Sequence, residues 1–311
     1  MPGTDPAEAM RVIAGELPGF PYLPELPERG PGADLTGRTA ALLVDMPVET
    51  TPRGWRLAER PGRDMSRAKS MLSTDLDVME EVLQGYTGPL KIQVCGPWTL
   101  AATLELTRTM DAALRDEGAV GDLTASLAEG VAAHVADVAR RVPGAKVITQ
   151  VDEPALTAVA DGEVPTASGI SRLPAIDQST IRERLGQVLA NITGYTVVHC
   201  CATSVRFEII RAAGANAVAF DLGQLRRGEE DAVAELAEAG MGLFAGITAD
   251  ETPKRTAERV VNLWQRMGSR PNPEQTVITP ACGLAGSSPE QAKATLKRCR
   301  EAAAILPEMG A

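Results

Sequence analysis

Residues 196–221 read TVVHCCATSVRFEIIRAAGANAVAFD, and this stretch decides the fold. Thr196–Cys201 is a β-branched run, Ser204–Ala213 carries helical spacing, and Ala217–Asp221 returns to a short apolar strand pattern. The same unit recurs outward in both directions. Further strands are expected at Lys91–Cys95, Lys146–Asp152, Gly242–Gly246 and Thr276–Cys282, with a proline-crowded one at Tyr22–Leu26. Helices are expected over Ser66–Gln84, Asp122–Arg141, Asp177–Asn191, Glu229–Ala239, Pro253–Arg266 and Pro289–Leu306. The last two start with Pro in the first turn after a hydroxyl residue, a helix-opening signal.

Strands alternating with helices imply βαβ units and a parallel sheet, either a closed barrel or an open doubly wound sheet. The open form announces itself with a Gly-rich phosphate turn, and no G-x-G-x-x-G or P-loop occurs. The expectation is therefore a (β/α)₈ barrel over residues 1–311, one catalytic domain. Only seven strands can be counted where eight are needed. Leu42-Leu43-Val44 and Trp55-Arg56-Leu57 read as a hairpin extension, since no helix separates them. The Pro- and Gly-rich segment 15–38 is expected to cover one end of the barrel.

Composition narrows the function. The 311 residues are 44% hydrophobic, enough for one large core. A net charge of -10 with dispersed arginines argues against nucleic-acid binding. No run approaches the roughly 20 apolar residues of a membrane span, and the first residues lack a secretion signal. Five cysteines, an odd and sparse count, suggest a reducing compartment, hence a cytoplasmic protein acting on small molecules. With only His134 and His199, a site needing several imidazoles is excluded.

Reactive residue types fall at strand ends: Cys95, Asp152-Glu153, His199-Cys200-Cys201, Asp221 and Cys282. In a barrel these ends converge on one mouth, where active sites are built. Side chains alternate along a strand, so His199 and Cys201 point one way and Cys200 the other. With Asp221 and Cys282 they make a nitrogen, sulfur and oxygen donor set suited to zinc. Each residue alone reads as core filler or helix cap; it is their joint placement that favours a metal site. Two thiolates and a carboxylate quench Lewis acidity, so the set favours activating a thiol over generating hydroxide.

Val198-His199-Cys200-Cys201, Ala217–Asp221, Val151-Asp152-Glu153-Pro154-Ala155-Leu156 and Thr279-Pro280-Ala281-Cys282-Gly283-Leu284 together resemble the C-terminal catalytic barrel of cobalamin-independent methionine synthase. The resemblance runs in motif order from about Pro18 to the C-terminus, without the N-terminal half of the full-length enzymes. It implies a barrel of the methionine synthase and uroporphyrinogen decarboxylase kind, a role in methionine biosynthesis, and Zn²⁺ held by His199, Cys201, Asp221 and Cys282. The family carries Glu where Asp221 stands. By position, Asp152 takes the amino group of homocysteine. Glu25, with Glu28 competing, lies near a second amine-binding carboxylate.

Departures from the family are equally informative. Thr103 stands where a Trp stacks on folate, Ala158 where a Glu binds the pterin, and Glu251 where a His donates the proton. The implied function is zinc-dependent methyl transfer to a thiol from a donor other than methyltetrahydrofolate, with a corrinoid or corrinoid protein as the expected source. Trp98, beside the mouth, offers a face for such a flat donor. A zinc- and thiol-binding protein without turnover is one alternative; a uroporphyrinogen decarboxylase-like enzyme using Arg29 and Arg38 is another. The family's first strand ends just before a Pro-containing turn, and Met1-Pro2-Gly3-Thr4-Asp5 is expected to begin inside that turn, through a misplaced start or a truncation. His134, Cys95, Cys200 and Cys299 are expected to be packing residues.

Overall fold

In the computed structural model, which describes residues 1–248 and 251–309, the chain opens with helix α1 (Pro6–Glu16). Asp5 caps it by accepting from the Ala7 and Glu8 amides, and Pro6 occupies the first turn, a start signal that sequence reading passed over. A short helix α2 (Leu35–Ala40) and a hairpin of β1 (Val48–Thr51) and β2 (Gly54–Leu57) lead to α3 (Arg63–Val82). The hairpin thus pairs Trp55 with Thr50, and residues 42–44 form no strand; the β-branched run Val48-Glu49-Thr50-Thr51 outcompetes them.

From β3 (Gly88–Cys95) onward the alternation is as expected. It continues through α4 (Pro97–Thr103), the two-residue β4 (Leu104–Glu105), α5 (Glu117–Arg141), β5 (Ala145–Asp152) and α6 (Leu156–Asp161). Then follow α7 (Gln178–Ala190), β6 (Tyr195–Cys200), α8 (Phe207–Ala212), β7 (Ala217–Asp221) and α9 (Glu230–Glu238). The chain ends with β8 (Gly242–Ile247), α10 (Pro253–Arg266), β9 (Thr276–Pro280) and α11 (Pro289–Met309). Strands β3, β5, β6, β7, β8 and β9 lie side by side in that order, all parallel. Strands β1, β2 and β4 make a separate small sheet.

The expected strand at Tyr22–Leu26 contracts to one parallel bridge, Tyr22 with Lys91, flanked by Leu23 N–H to Lys91 O at 2.9 Å and Lys91 N–H to Pro21 O at 3.0 Å. Pro21, Pro24 and Pro27 have no N–H to donate, so the ladder cannot lengthen. The Gln93 side chain instead takes the Leu23 carbonyl at 2.7 Å. Among the described residues no strand joins this segment to β9, and the sheet is a curled, open half-barrel of βα units. Helix α1 packs between α3 and α11, the station of a first barrel helix, with no strand before it.

Register fixes which side chains face the enclosed space. Cys95 pairs with Asp152, Asp152 with His199, His199 with Ala219, and Asp221 with Gly246. The N-terminal half of the interior is apolar, with Val197, Ala217, Ala219 and Phe244 packed together and Phe20 edge-on to Phe244 at 6.2 Å. Between sheet and helices, Phe207 meets Phe220 edge-on at 5.5 Å, and burying each such ring stabilises the fold by about 2 kcal/mol. Polar side chains are thereby gathered toward the strand C-termini. Among the described residues, no helix is long and apolar enough to cross a membrane.

Candidate functional site

A cavity of about 610 Å³ opens among the strand ends, lined by Glu25, Lys91, Asp152, His199, Cys201 and Cys282 together with apolar residues of β9 and α11. A larger cavity of about 880 Å³ lies around the strand N-termini, against Phe20, Val147, Tyr195 and Phe244. It holds no cluster of reactive side chains, so the smaller cavity is the candidate site.

Asp152 and His199 stand opposite each other on β5 and β6. His199 Nδ1 is 2.8 Å from Asp152 Oδ1, which also accepts from Gln150 Nε2 at 2.7 Å. Burial alone pulls the imidazole pKa down, but the hydrogen bond and charge of Asp152 outweigh it and raise the value. The bond fixes the ring so that Nε2 turns toward the Ala281 carbonyl, 3.3 Å away and next to Cys282. Cys201 and Cys282 line the same cavity and act on each other: Cys282 holds the Cys201 thiol down, while Cys201 and burial push Cys282 well up.

Asp221 ends β7 and accepts from the Gly223 amide at 2.7 Å. Its charge reaches Cys282, but it does not line the cavity. The structure therefore gathers His199, Cys201 and Cys282 at one mouth with Asp221 just outside. As they stand, no group of three or more His, Cys, Asp or Glu side chains among the described residues is arranged to hold a metal ion. The donor chemistry nevertheless suits one: an oriented imidazole nitrogen and two adjoining sulfurs, one of them readily ionised.

Glu25 follows the Tyr22 bridge into the cavity, where burial raises its pKa, and its Oε1 has no partner. Glu28 is exposed on the turn beyond. Glu251 precedes α10 and accepts from Arg259 Nη1 at 3.0 Å; it is not among the cavity-lining residues. Its neighbours Ala249 and Asp250 lie outside the described residues.

Three expectations are corrected. Trp98 is not a face at the mouth: it is 1% exposed, and its indole N–H donates to the Ile181 carbonyl at 3.0 Å. Arg29 and Arg38 offer no cationic pocket, because both guanidiniums are committed to the buried carboxylate of Asp75. The segment 15–38 is not only a loop, since α2 begins within it. The packing assignments hold: Cys95, Cys200, Cys299 and His134 are all buried.

Sequence reading missed Lys91, Gln93 and Gln150, and named Glu153 at its strand end without a role. The signal for the first three was polar residues at alternate positions in otherwise apolar strands, Lys91-x-Gln93 and Gln150-x-Asp152. Glu153 is wholly buried, and its carboxyl accepts from the Trp98 amide at 2.9 Å and from Thr99 through its amide at 2.8 Å and hydroxyl at 2.7 Å. It caps α4 from the neighbouring strand, and burial pushes its pKa up to about 7. Gly96 makes room for it: a Cβ there would stand 2.4 Å from the carboxyl.

The chain matches the family described as "Cobalamin-independent synthase, Catalytic domain" over residues 2–305. Among solved structures, a B12-independent methionine synthase from Shewanella sp. W3-18-1, in complex with selenomethionine, is similar in fold. It is 12% identical, with a TM-score of 0.62, and the alignment covers 98% of this chain and 88% of that one. A putative dihydrodipicolinate synthetase from Pseudomonas aeruginosa aligns over 77% of this chain and 65% of its own, at 11% identity and a TM-score of 0.36, too loosely to carry an argument. No curated protein sequence matches.

Proposed function

From the premise that this chain belongs to the family of cobalamin-independent synthase catalytic domains, we propose that it is a methyltransferase whose acceptor is the sulfur of an amino-acid thiol, homocysteine or a close relative. Residues 1–311 are read as one catalytic unit. The observation that carries the proposal is the imidazole of His199, braced by Asp152, beside the paired sulfurs of Cys201 and Cys282 in one cavity. Membership in a cobalamin-independent family overturns the corrinoid donor, and the corrinoid protein partner, expected from the sequence. Thr103 and Ala158, in place of folate-binding side chains, support a donor other than methyltetrahydrofolate.

Zinc is the metal we assign, with His199, Cys201, Asp221 and Cys282 to hold it. When bound it would supply the positive charge that draws the proton from an incoming thiol. The side chains contribute the rest. Asp152 fixes the His199 tautomer and leaves Nε2 free to coordinate. Glu25 offers its unpartnered oxygen to the substrate ammonium, with the free oxygen of Asp152 beside it. Glu251 takes the proton-donor role that its position implies, and Arg259 must release it first.

Metal analysis of the purified protein, followed by titration with L-homocysteine, tests this reading. One equivalent of zinc and thiol binding are expected from the native chain, and loss of both from Cys282→Ser. A native chain that binds homocysteine without any metal overturns the zinc assignment. The engagement of Glu251 with Arg259 favours a second reading, a thiol binder without turnover. In that case homocysteine binds the zinc protein and no methyl donor yields methionine.

A further inference from the structure

The cavity contains a cation that the metal and thiol chemistry leaves unused. Lys91 lies on β3, half-buried, and lines the cavity. Its ammonium carries three donor hydrogens. One goes to Gln93 Oε1 at 3.3 Å, and the Tyr22 ring centre is 5.3 Å away. Among the described residues no carboxylate comes within ion-pairing distance of it. The charges of Asp152 and Glu25 reach Lys91, but Asp152 turns its Oδ1 to His199 and Gln150. A half-buried ammonium with spare donors, opening onto a cavity, has the character of half a binding site.

Glu25 supplies the complementary half. Its Oε1 is buried without a partner. It follows by three residues the Tyr22 that bridges to Lys91, so both charges border the same flank of the cavity. The two charges act on each other across the cavity, and no ion pair joins them among the described residues.

We propose that Lys91 is a specificity-determining residue that takes the substrate's α-carboxylate, across from the ammonium already assigned to Glu25. This rests on reading the cavity as the thiol acceptor site. Cys201 and His199 line the same cavity, which leaves the substrate's side chain to span from the charged pair to the sulfurs. Gln93 orients Lys91 as Gln150 orients Asp152, two amides at registered positions of adjacent strands.

Calorimetric titration of the metal-replete 311-residue chain with three probes tests the assignment: L-homocysteine, 3-amino-1-propanethiol without the carboxylate, and 4-mercaptobutanoate without the amine. Lys91→Met is expected to weaken homocysteine and mercaptobutanoate on the order of 10- to 100-fold and to leave the aminothiol unchanged. Glu25→Gln is expected to give the mirror pattern. Lys91→Gln provides the same test should the Met variant fail to fold. If either Lys91 variant weakens all three probes alike, or leaves homocysteine binding unchanged, the Lys91 assignment falls while the acceptor-site reading stands. If the native chain binds none of the three, both fall.

Discussion

Asp152 Oδ1 and His199 Nδ1 meet at 2.8 Å across adjacent strands, and this bond decides which imidazole nitrogen faces the two sulfurs. Replacing the carboxylate with an amide of the same shape, Asp152→Asn, removes the charge that holds the tautomer. Zinc affinity is expected to fall about 10- to 100-fold, measured by competition with a chelator of known strength. An unchanged affinity means that the imidazole does not ligate through Nε2.

Gly96→Ala tests the packing that carries the rim. The new Cβ would stand 2.4 Å from the Glu153 carboxyl, which must then leave the Trp98 and Thr99 amides it caps. A loss of about 2–4 kcal/mol in urea unfolding is expected. A variant as stable as the native chain would show that Glu153 has another place to go.

His134 sets a pH dependence. Burial lowers its pKa from 6.5 to about 4 in the folded chain. Between these values the unfolded chain binds more protons, so this contribution to stability is whole above pH 6.5, declines as pH falls, and is gone below about 4. The full span is on the order of 3 kcal/mol. His199 has a raised pKa and acts in the opposite sense, so the quantity to follow is the difference between the native chain and His134→Leu. That difference should change with pH in this window; a flat difference refutes the assignment.

Glu251→Gln separates turnover from binding. The variant removes the ionisable carboxyl and with it the ion pair to Arg259, while the cavity lining is untouched. Methyl transfer is expected to drop about 100-fold with homocysteine affinity within about twofold of the native value. Equal loss in both would mean that Glu251 acts by shaping the site.

Much of the fold could be read from local signals because each βα unit declares itself: Thr196–Cys201 through β-branching, α10 through Thr252-Pro253. Tyr22–Leu26 misled, since its apolar pattern promises a strand but its prolines withhold the donors. The paired sulfurs of Cys201 and Cys282 were foreseeable, as strand direction alone brings those ends together. Lys91 was not singled out, because a lone lysine in a strand ordinarily reads as a solvated residue, whereas here it lies with Gln93 on the cavity side of β3. Trp98 failed for the converse reason. Its neighbours suggested the mouth, whereas α4 rotates it into the protein against Ile181.

The sheet's lack of closure has a dynamic consequence. In a complete ring every strand is clasped on both sides; here, among the described residues, β9 is clasped by β8 alone, and the proline-bound Tyr22 segment by β3 alone. Deuterium uptake should therefore begin along Thr276–Pro280 and spread inward, leaving β6 and β7 protected longest. Since β9 leads directly into Cys282, breathing at this seam would modulate how firmly the second sulfur is presented.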